Sequence, residues 1–250
     1  MAGARWDVGD DEDEREGASV GTADGGASVT VVGLPKGGVG KTRLAMMSAL
    51  YLAVREKRKV HVVDGDSTSQ TAYAWQQHAL KAGRDWPITV SRCPLIEIDE
   101  HIDDLRADND EIIADVGGGN NAVFEAALTR AHRLLAPVGA DPSETEKLPA
   151  AWKIAKLAAA DNTVGGFEGY VVLSRTDHQT SLPREAREEL TKGGINPETG
   201  KARRVYPVCD TELVKRVAYQ RAYKHVPRDF LDVPALLREV GMVSSRRKGK

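Results

Sequence analysis

The sequence is short of cysteine and has no long hydrophobic run. Its two cysteines, Cys93 and Cys209, do not form a CxxC pair, which argues against a disulfide framework and against a metal cluster held by thiolates. No stretch approaches the roughly 20 apolar residues that span a bilayer, and the acidic N-terminal region does not resemble a secretory signal. We therefore expect a cytosolic protein in which both cysteines are structural.

The composition is that of one globular domain with charged ends. Of 250 residues, 41% are hydrophobic and 29% are charged, and the formal net charge is −2. Residues 1–27 carry eight acidic and two basic side chains and only four apolar ones larger than alanine, so we expect this segment to be a disordered acidic tail. The expected domain covers residues 28–243, and residues 244–250 form a short basic tail.

A glycine-rich loop directly follows an apolar run at residues 29–32. Glycine allows the backbone to turn successive N–H groups toward an anion, and a helix that begins at the end of the loop adds its positive dipole end. This pattern is typical of a triphosphate site, in which the last lysine reaches the β/γ-phosphates and the following threonine hydroxyl joins a hydrated Mg²⁺ shell. Pro35 stands where the ordinary P-loop pattern has its first glycine. The loop consists of Lys36, Gly37, Gly38, Val39, Gly40, Lys41 and Thr42.

Three aspartates follow apolar segments that read as strands. Asp64 and Asp66 end one such segment, and Asp115 ends another. The carboxyl ends of parallel strands meet at one edge of a sheet, where ligands bind, so these carboxylates are candidates for a site beside the glycine-rich loop. Turn residues and solvated carboxylates are the alternatives.

Short apolar runs alternate with segments of helical periodicity, which predicts an α/β fold with a doubly wound, mostly parallel sheet flanked by helices. Strands are predicted near residues 28–33, 59–64, 87–91, 110–115, 132–137, 168–174 and 204–207. Helices are predicted near residues 42–56, 69–82, 97–107, 121–130, 143–160, 181–192, 211–225 and 232–240.

The loop KGGVGKT resembles the deviant Walker A motif of the ParA/MinD family of P-loop ATPases, which belongs to the SIMIBI class. Three further segments agree with that family in order and spacing. Residues 60–66 resemble its second strand with an Asp-x-Asp end, residues 111–115 its Walker B strand, and residues 173–177 the strand beside the base. Among the family's branches, the sequence looks closest to ParA-type DNA partition ATPases without an N-terminal helix-turn-helix.

The resemblance implies a role for each candidate site residue. Lys36 would reach across an ATP-bound homodimer to the partner's phosphates, and Lys41 would bind the phosphates of its own subunit. Asp66 would orient the attacking water, while Thr42, Asp64 and Asp115 would support Mg²⁺.

The resemblance also places the base. Arg43 would belong to the nucleotide site, and Arg175 and Pro207 would lie in the segments that hold adenine, at residues 174–177 and 205–210. Adenine rests on the resemblance alone, and the guanine-type Asn-Lys-x-Asp pattern is absent.

The sequence departs from the family pattern at three places. Arg43 follows the loop where a second hydroxyl residue is common, and Asp66 is followed by Ser67 and Thr68 rather than Pro-Gln. The Walker B aspartate leads into a triple glycine at residues 117–119, which predicts a mobile loop.

The implied function is ATP-dependent dimerisation and nonspecific DNA binding, reset by slow Mg²⁺-dependent ATP hydrolysis that a ParB-like centromere-binding partner stimulates. This would serve segregation of plasmid or chromosomal DNA on the nucleoid in the cytoplasm, with no membrane contact. Within the predicted helix 211–225, Arg216, Gln220 and Lys224 would share one face. The candidate DNA-binding residues are Arg203, Arg204, Lys215, Arg216, Arg221 and Lys224.

Two alternatives remain. A MinD-like positioning ATPase would bind a membrane through an amphipathic segment at residues 234–243, although that segment reads better as a core-packing helix. A metabolic ATP-dependent enzyme of the SIMIBI class is the second alternative.

Overall fold

The computed structural model describes residues 26–34, 38–195, 200, 202–203 and 205–244. Lys36, Gly37 and Arg204 lie outside these residues, as do most of the two predicted tails, and nothing is described for the side chain of Arg203. Within the described ranges, no helix has the length and apolar character needed to cross a membrane.

Seven parallel strands form the central sheet, in the order β3-β2-β4-β1-β5-β6-β9. A separate antiparallel ribbon pairs β7 with β8. The parallel α/β architecture predicted from the sequence is therefore confirmed. The strands are β1 Ser28–Gly33, β2 Val60–Asp64, β3 Thr89–Arg92, β4 Glu111–Val116, β5 Arg133–Gly139, β6 Glu168–Thr176, β7 Gly194–Ile195, β8 Ala202–Arg203 and β9 Leu213–Val214.

Helices cover both faces of the sheet, which explains why β1, β2, β4 and β5 are almost completely buried and mostly apolar rather than alternating. One core, around Phe124 and Trp152, packs under α3, α4, α6 and α7. The other, around Met46 and Trp75, packs under α1, α2 and α9. The helices are α1 Lys41–Arg55, α2 Thr71–Lys81, α3 Ile98–Leu105, α4 Asn121–Leu128, α5 Pro142–Thr145, α6 Leu148–Ala160, α7 Leu182–Lys192, α8 Val217–Arg221 and α9 Val233–Glu239.

The strand register brings the candidate site residues to one edge. Asp115 of β4 lies opposite Val32 of β1 on one side and opposite Asp64 of β2 on the other. Because the glycine-rich loop leaves β1 at this same edge, the phosphate loop and the acidic residues converge at the carboxyl ends of the central strands.

The last part of the sheet differs from the prediction. Residues 205–207 form no strand, and Val208 makes only an isolated bridge to Val171 of β6. The last strand is instead β9, which lies inside the predicted helix 211–225, and that helix is reduced to the five residues of α8. The Asp232 carboxylate accepts a hydrogen bond from the Val214 backbone N–H, and this bond holds the segment extended beside β6.

The predicted helix 143–160 is also interrupted. It divides into α5 and α6, and proline occupies one of the first two positions of each. Proline has no N–H to donate and is favoured at the first turn, so each proline marks a new helix start.

Candidate nucleotide-binding site

The described part of the glycine-rich loop has the backbone conformation that an anion cradle needs. Gly38 has φ 80° and Gly40 has φ 92°, both in the left-handed region, which strongly favours glycine. Gly40 caps α1 without a side-chain hydrogen bond, so the amides of the first helical turn face the loop. A Cβ added at Gly38 or Gly40 would meet nothing within 4 Å. The described part of the loop therefore borders open space at both glycines.

Lys41 opens α1 and is almost fully buried, with 7% of its surface exposed. Burial lowers the pKa of Lys41, while the negative charges of Asp115 and Asp66 oppose that shift. The ammonium group thus lies in a desolvated place near two carboxylates. A phosphate bound there would be attracted strongly by the ammonium group, because water screens the charge little at a buried position.

Asp115 is the most unusual ionisable group of the site. It is 1% exposed, and burial raises its pKa to about 7, with the charges of Asp64 and Asp66 adding to the rise and Thr42 and Lys41 opposing it. Its Oδ2 has no hydrogen-bond partner among the described residues. A buried carboxylate oxygen left in this way fits a hydrated Mg²⁺ shell, because the cation and its waters would supply the missing partners.

No group of three or more His, Cys, Asp or Glu side chains in the described parts of the chain is arranged to enclose a metal ion. Mg²⁺ is usually held by one or two carboxylates together with waters and substrate phosphates.

Asp64 supports the loop that follows β2. It is fully buried, its Oδ1 accepts from the Asp66 N–H at 3.2 Å, and its Oδ2 accepts from the Tyr73 N–H at 2.9 Å. Burial raises the pKa of Asp64, although these hydrogen bonds oppose the rise. Both oxygens already have backbone partners, so the carboxylate joins the two ends of residues 65–73.

Asp66 is held in a tight turn. Its Oδ1 accepts from the backbone N–H groups of Thr68 at 2.8 Å and Ser69 at 3.1 Å, and its Oδ2 accepts from the Ser69 hydroxyl at 2.9 Å. Burial raises the pKa of Asp66, but these hydrogen bonds and the Lys41 charge outweigh burial and lower it. The group is therefore an ionised acceptor close to the loop lysine.

A pocket of about 360 Å³ lies between the glycine-rich loop and the carboxyl ends of β5, β6 and β9. Apolar side chains such as Leu182, Leu213 and Tyr219 form much of its wall, which suits a flat base. Arg43 also lines it, and the buried Nε of Arg43 has no hydrogen-bond partner among the described residues. Burial lowers the pKa of Arg43. Arg43 and Arg175 both line this pocket, and their part in nucleotide binding stays a prediction.

The two arginines are held differently. Arg175 has φ 55°, and its guanidinium donates to Glu144 Oε1 at 2.6 Å. Glu144 Oε2 accepts from the Gly139 N–H at 2.8 Å, so one carboxylate joins the ends of β5 and β6. One nitrogen of the Arg175 guanidinium is therefore paired with Glu144, whereas the buried Nε of Arg43 has no partner among the described residues.

Pro207 is not brought to the pocket. Its carbonyl accepts from the Val171 N–H at 2.8 Å, three residues before Ser174, where β6 reaches the pocket. The predicted base segment 205–210 does not line the pocket, and residues 213–216 do so instead. The segment around Pro207 bonds to β6 at Val171, whereas β9 pairs with Ser174 and Thr176 at the pocket end of β6, which explains the difference.

The four predicted DNA-binding residues whose side chains the structure describes are exposed, but the predicted helix face does not form. Arg216 precedes α8, and its guanidinium forms an ion pair with Asp232 at 2.9 Å. Lys224 lies beyond α8 with φ 72°, and its carbonyl accepts from Arg84. The predicted face of Arg216, Gln220 and Lys224 is therefore wrong. Lys215, Arg216, Arg221 and Lys224 remain exposed basic side chains within ten residues.

Sequence reasoning missed two features of the site. The hydroxyl of Ser174, which is 2% exposed, donates to the Val39 carbonyl at 2.8 Å. Gly117 packs directly against Asp66. Neither contact has a local sequence signal, because each joins residues that are far apart in the chain.

A parallel sheet with a glycine-rich loop between β1 and α1, a buried lysine at the helix start and an aspartate at the end of the neighbouring strand defines the P-loop nucleoside triphosphatase fold. No protein-family model matches the chain, and no curated protein matches it. Solved structures do match.

Three of these matches cover nearly the whole of the solved chain. Cobyrinic acid a,c-diamide synthase from Mycobacterium smegmatis, with bound ATP analogue and magnesium, has TM-score 0.61 and 15% identity, covering 85% of this chain and 95% of that one. McdA of Cyanothece in complex with ATP has TM-score 0.59 and 14% identity over 88% and 98%. A plasmid partition protein from Borrelia burgdorferi has TM-score 0.58 and 14% identity over 86% and 99%. At these identities the likeness shows a shared fold.

Proposed function

We propose that the protein is a ParA-type partition ATPase that binds Mg²⁺ and ATP between the glycine-rich loop and the β5–β6–β9 pocket. The observation that carries this proposal is the unpartnered, buried Oδ2 of Asp115 beside the buried Lys41 at the start of α1. The sequence motif and the fold shared with McdA and the plasmid partition protein support it.

Each residue would have a limited task in phosphoryl transfer. Bound Mg²⁺ would supply positive charge to the phosphates. The loop amides and Lys41 would hold the phosphate oxygens, Thr42 and Asp115 would orient the waters of the metal shell, and Asp64 would keep its loop in place. Asp66, an ionised acceptor, would hold the attacking water in line.

In the proposed cycle, two ATP-bound copies associate face to face through Lys36. This step rests on the sequence motif, and its logic is electrostatic. The γ-phosphate is an anion that a partner's lysine can pair with, and ADP lacks it, so the dimer would follow the nucleotide state.

Light scattering with a nonhydrolysable ATP analogue tests the dimer. Lys36→Ala should bind nucleotide and remain monomeric, whereas Lys153→Ala, which removes an exposed lysine of α6, should dimerise normally. Dimers of the Lys36→Ala variant would exclude the role across the interface.

The dimer is proposed to bind DNA without sequence preference and to reset when a ParB-like partner stimulates hydrolysis, placing the protein on the nucleoid. The exposed basic residues 215–224 are the proposed contact surface. Because Arg216 is paired with Asp232, Arg221 and Lys224 are the better probes.

A salt-titrated DNA-binding assay with ATP, ADP and no nucleotide tests this surface. Arg221→Glu with Lys224→Glu should abolish ATP-dependent retention and keep ATP binding. The control Lys153→Glu lies on α6, across the sheet, and should bind DNA as the natural chain does. If the double variant is still retained on DNA with ATP, the DNA contact surface lies elsewhere.

A metabolic ATP-dependent enzyme is the second candidate, because cobyrinic acid a,c-diamide synthase shares the fold at TM-score 0.61. Substrate-dependent phosphate release without DNA would favour it. The MinD-like alternative is not favoured, because the apolar residues of its membrane-binding segment, Leu236, Leu237 and Val240, are buried in the core as the sequence predicts. Sedimentation with liposomes and ATP tests that alternative directly.

A further inference from the structure

Gly117 lies against the side chain of Asp66 with no room for a methyl group. A Cβ added at Gly117 would be 2.6 Å from Asp66 Cγ, 2.9 Å from its Oδ2 and 3.0 Å from its Cβ. Carbon atoms in contact optimally lie about 3.5–4.0 Å apart. Any side chain at position 117 would therefore displace either Asp66 or the start of its own loop.

Both sides of this contact are anchored. The Asp66 carboxylate accepts three hydrogen bonds from Thr68 and Ser69, which fix its orientation. On the other side, Gly117 directly follows Val116, which is 1% exposed and lies in register with Gly33 of β1. The contact joins two fixed segments at the ends of β2 and β4.

The neighbouring glycine provides a contrast. A Cβ at Gly119 would meet nothing within 4 Å. Neither Gly117 nor Gly119 has a positive φ, so neither position has the left-handed backbone that disfavours alanine. The two glycines differ in their surroundings, and only Gly117 adjoins the proposed water-orienting group.

We propose that Gly117 is a positioning residue for Asp66. The missing side chain at residue 117 sets where the Asp66 carboxylate lies relative to Lys41, and so links the loop after Asp115 to the step that Asp66 carries out. This inference rests on the proposed role of Asp66 in ATP hydrolysis. It gives the first glycine of the triple glycine a steric function in place of simple mobility.

The test compares Gly117→Ala with Gly119→Ala in single-turnover hydrolysis and in equilibrium ATP binding. A shift of the carboxylate by close to 1 Å should lower the hydrolysis rate about 10- to 100-fold. ATP affinity and KM should stay within about twofold, because Lys41, Thr42 and Asp115 are untouched. Gly119→Ala should match the natural chain in hydrolysis rate, ATP affinity and KM. Hydrolysis at the natural rate by Gly117→Ala overturns the inference.

A double-mutant cycle identifies the displaced group. Gly117→Ala should lower Tm in the natural chain, and the loss should be smaller in an Asp66→Ala background, where the Cγ and Oδ2 atoms are gone and only the Cβ contact at 3.0 Å remains. An equal loss of Tm in both backgrounds would show that the methyl group contacts another group, and this result would overturn the inference.

If Asp66→Ala itself hydrolyses ATP normally, the proposed role of Asp66 fails. If only Asp66→Ala is impaired, that role stands and the positioning role of Gly117 fails.

Discussion

The hydroxyl of Ser174, at the end of β6, donates a hydrogen bond to the carbonyl of Val39 in the glycine-rich loop, with 2.8 Å between the two oxygens. Both residues are buried, and 135 positions of sequence separate them. The bond connects the loop proposed to hold phosphates with the wall of the pocket proposed to hold the base. The two halves of a bound nucleotide would therefore meet parts of the protein that are already held together.

Ser174→Ala should weaken both the fold and the nucleotide site. Leaving the buried Val39 carbonyl without its partner costs about 1–3 kcal/mol, which corresponds to a fall of several degrees in Tm for a domain of this size. ATP affinity should fall several-fold, because the loop must then be ordered on binding. Differential scanning calorimetry and fluorescent-nucleotide titration measure the two effects.

Thr191→Ala is the matched control for Ser174. Its hydroxyl also donates to a carbonyl, that of Arg187 at 2.7 Å, but it is exposed on α7 and does not line the pocket. This variant should bind ATP normally. Equal ATP affinity in the natural chain and Ser174→Ala would show that the bond does not organise the site.

Arg43→Met should separate ligand binding from stability. Methionine keeps an apolar stem, while the buried guanidinium nitrogen that lacks a described partner is removed, so the ligand-free protein should keep or raise its Tm. If that guanidinium binds the nucleotide, affinity should fall about tenfold or more, as expected for a hydrogen bond from a charged group. A variant with lower Tm and unchanged affinity would make Arg43 a packing residue.

Asp115→Asn should remove the Mg²⁺ dependence of nucleotide binding. The natural carboxylate is buried and its pKa is raised to about 7, so a neutral amide of similar shape should not destabilise the ligand-free fold at pH 8. ATP titrations with and without Mg²⁺ should coincide in this variant and differ in the natural chain. Asp161→Asn, at the exposed end of α6, should retain the difference. An unchanged Mg²⁺ effect in Asp115→Asn would exclude Asp115 from the metal shell.

Acid should destabilise the fold through His61. Burial, and then the nearby His101, lower the pKa of His61 to about 4 from 6.5, while its Nε2 lies 2.9 Å from the Ser91 hydroxyl. At pH values between about 4 and 6.5, His61 is protonated in the unfolded chain but neutral in the folded chain. The stabilisation is therefore complete above pH 6.5 and is lost as pH falls toward 4, by about 3 kcal/mol.

Chemical denaturation of the natural chain and of His61→Gln at pH 7.5 and pH 4.5 isolates this effect. The natural chain should lose more stability than His61→Gln over that interval. His78→Gln, which changes an exposed histidine of α2, should behave as the natural chain does. Parallel losses in the natural chain and His61→Gln would assign the acid sensitivity to other groups.

The central sheet was predictable from sequence because parallel strands covered on both faces are mostly apolar rather than alternating, and β1, β2 and β4 carry that signal. The loop and the three aspartates followed from the order of their segments. The sheet edge was not predictable, because β9 has only two residues and its position depends on Asp232, eighteen positions after Val214. Pro207 was misplaced for the same reason.

Contacts between distant loops were equally hidden. The sequence shows that Gly117 is a glycine, but only the folded chain shows that Asp66 fills the space beside it. For the same reason, periodicity placed Arg216 on a helix, whereas its ion pair with Asp232 lies just before α8.

The pocket wall and the basic surface are built from one short piece of chain. Lys215 and Arg216 line the pocket together with Tyr219 and Gln220, and Arg221 and Lys224 come immediately afterwards. A ligand that orders residues 215–220 from the pocket would also restrict the basic side chains on the surface. By thermodynamic reciprocity, a polyanion bound to that surface would then change the affinity of the pocket for its ligand.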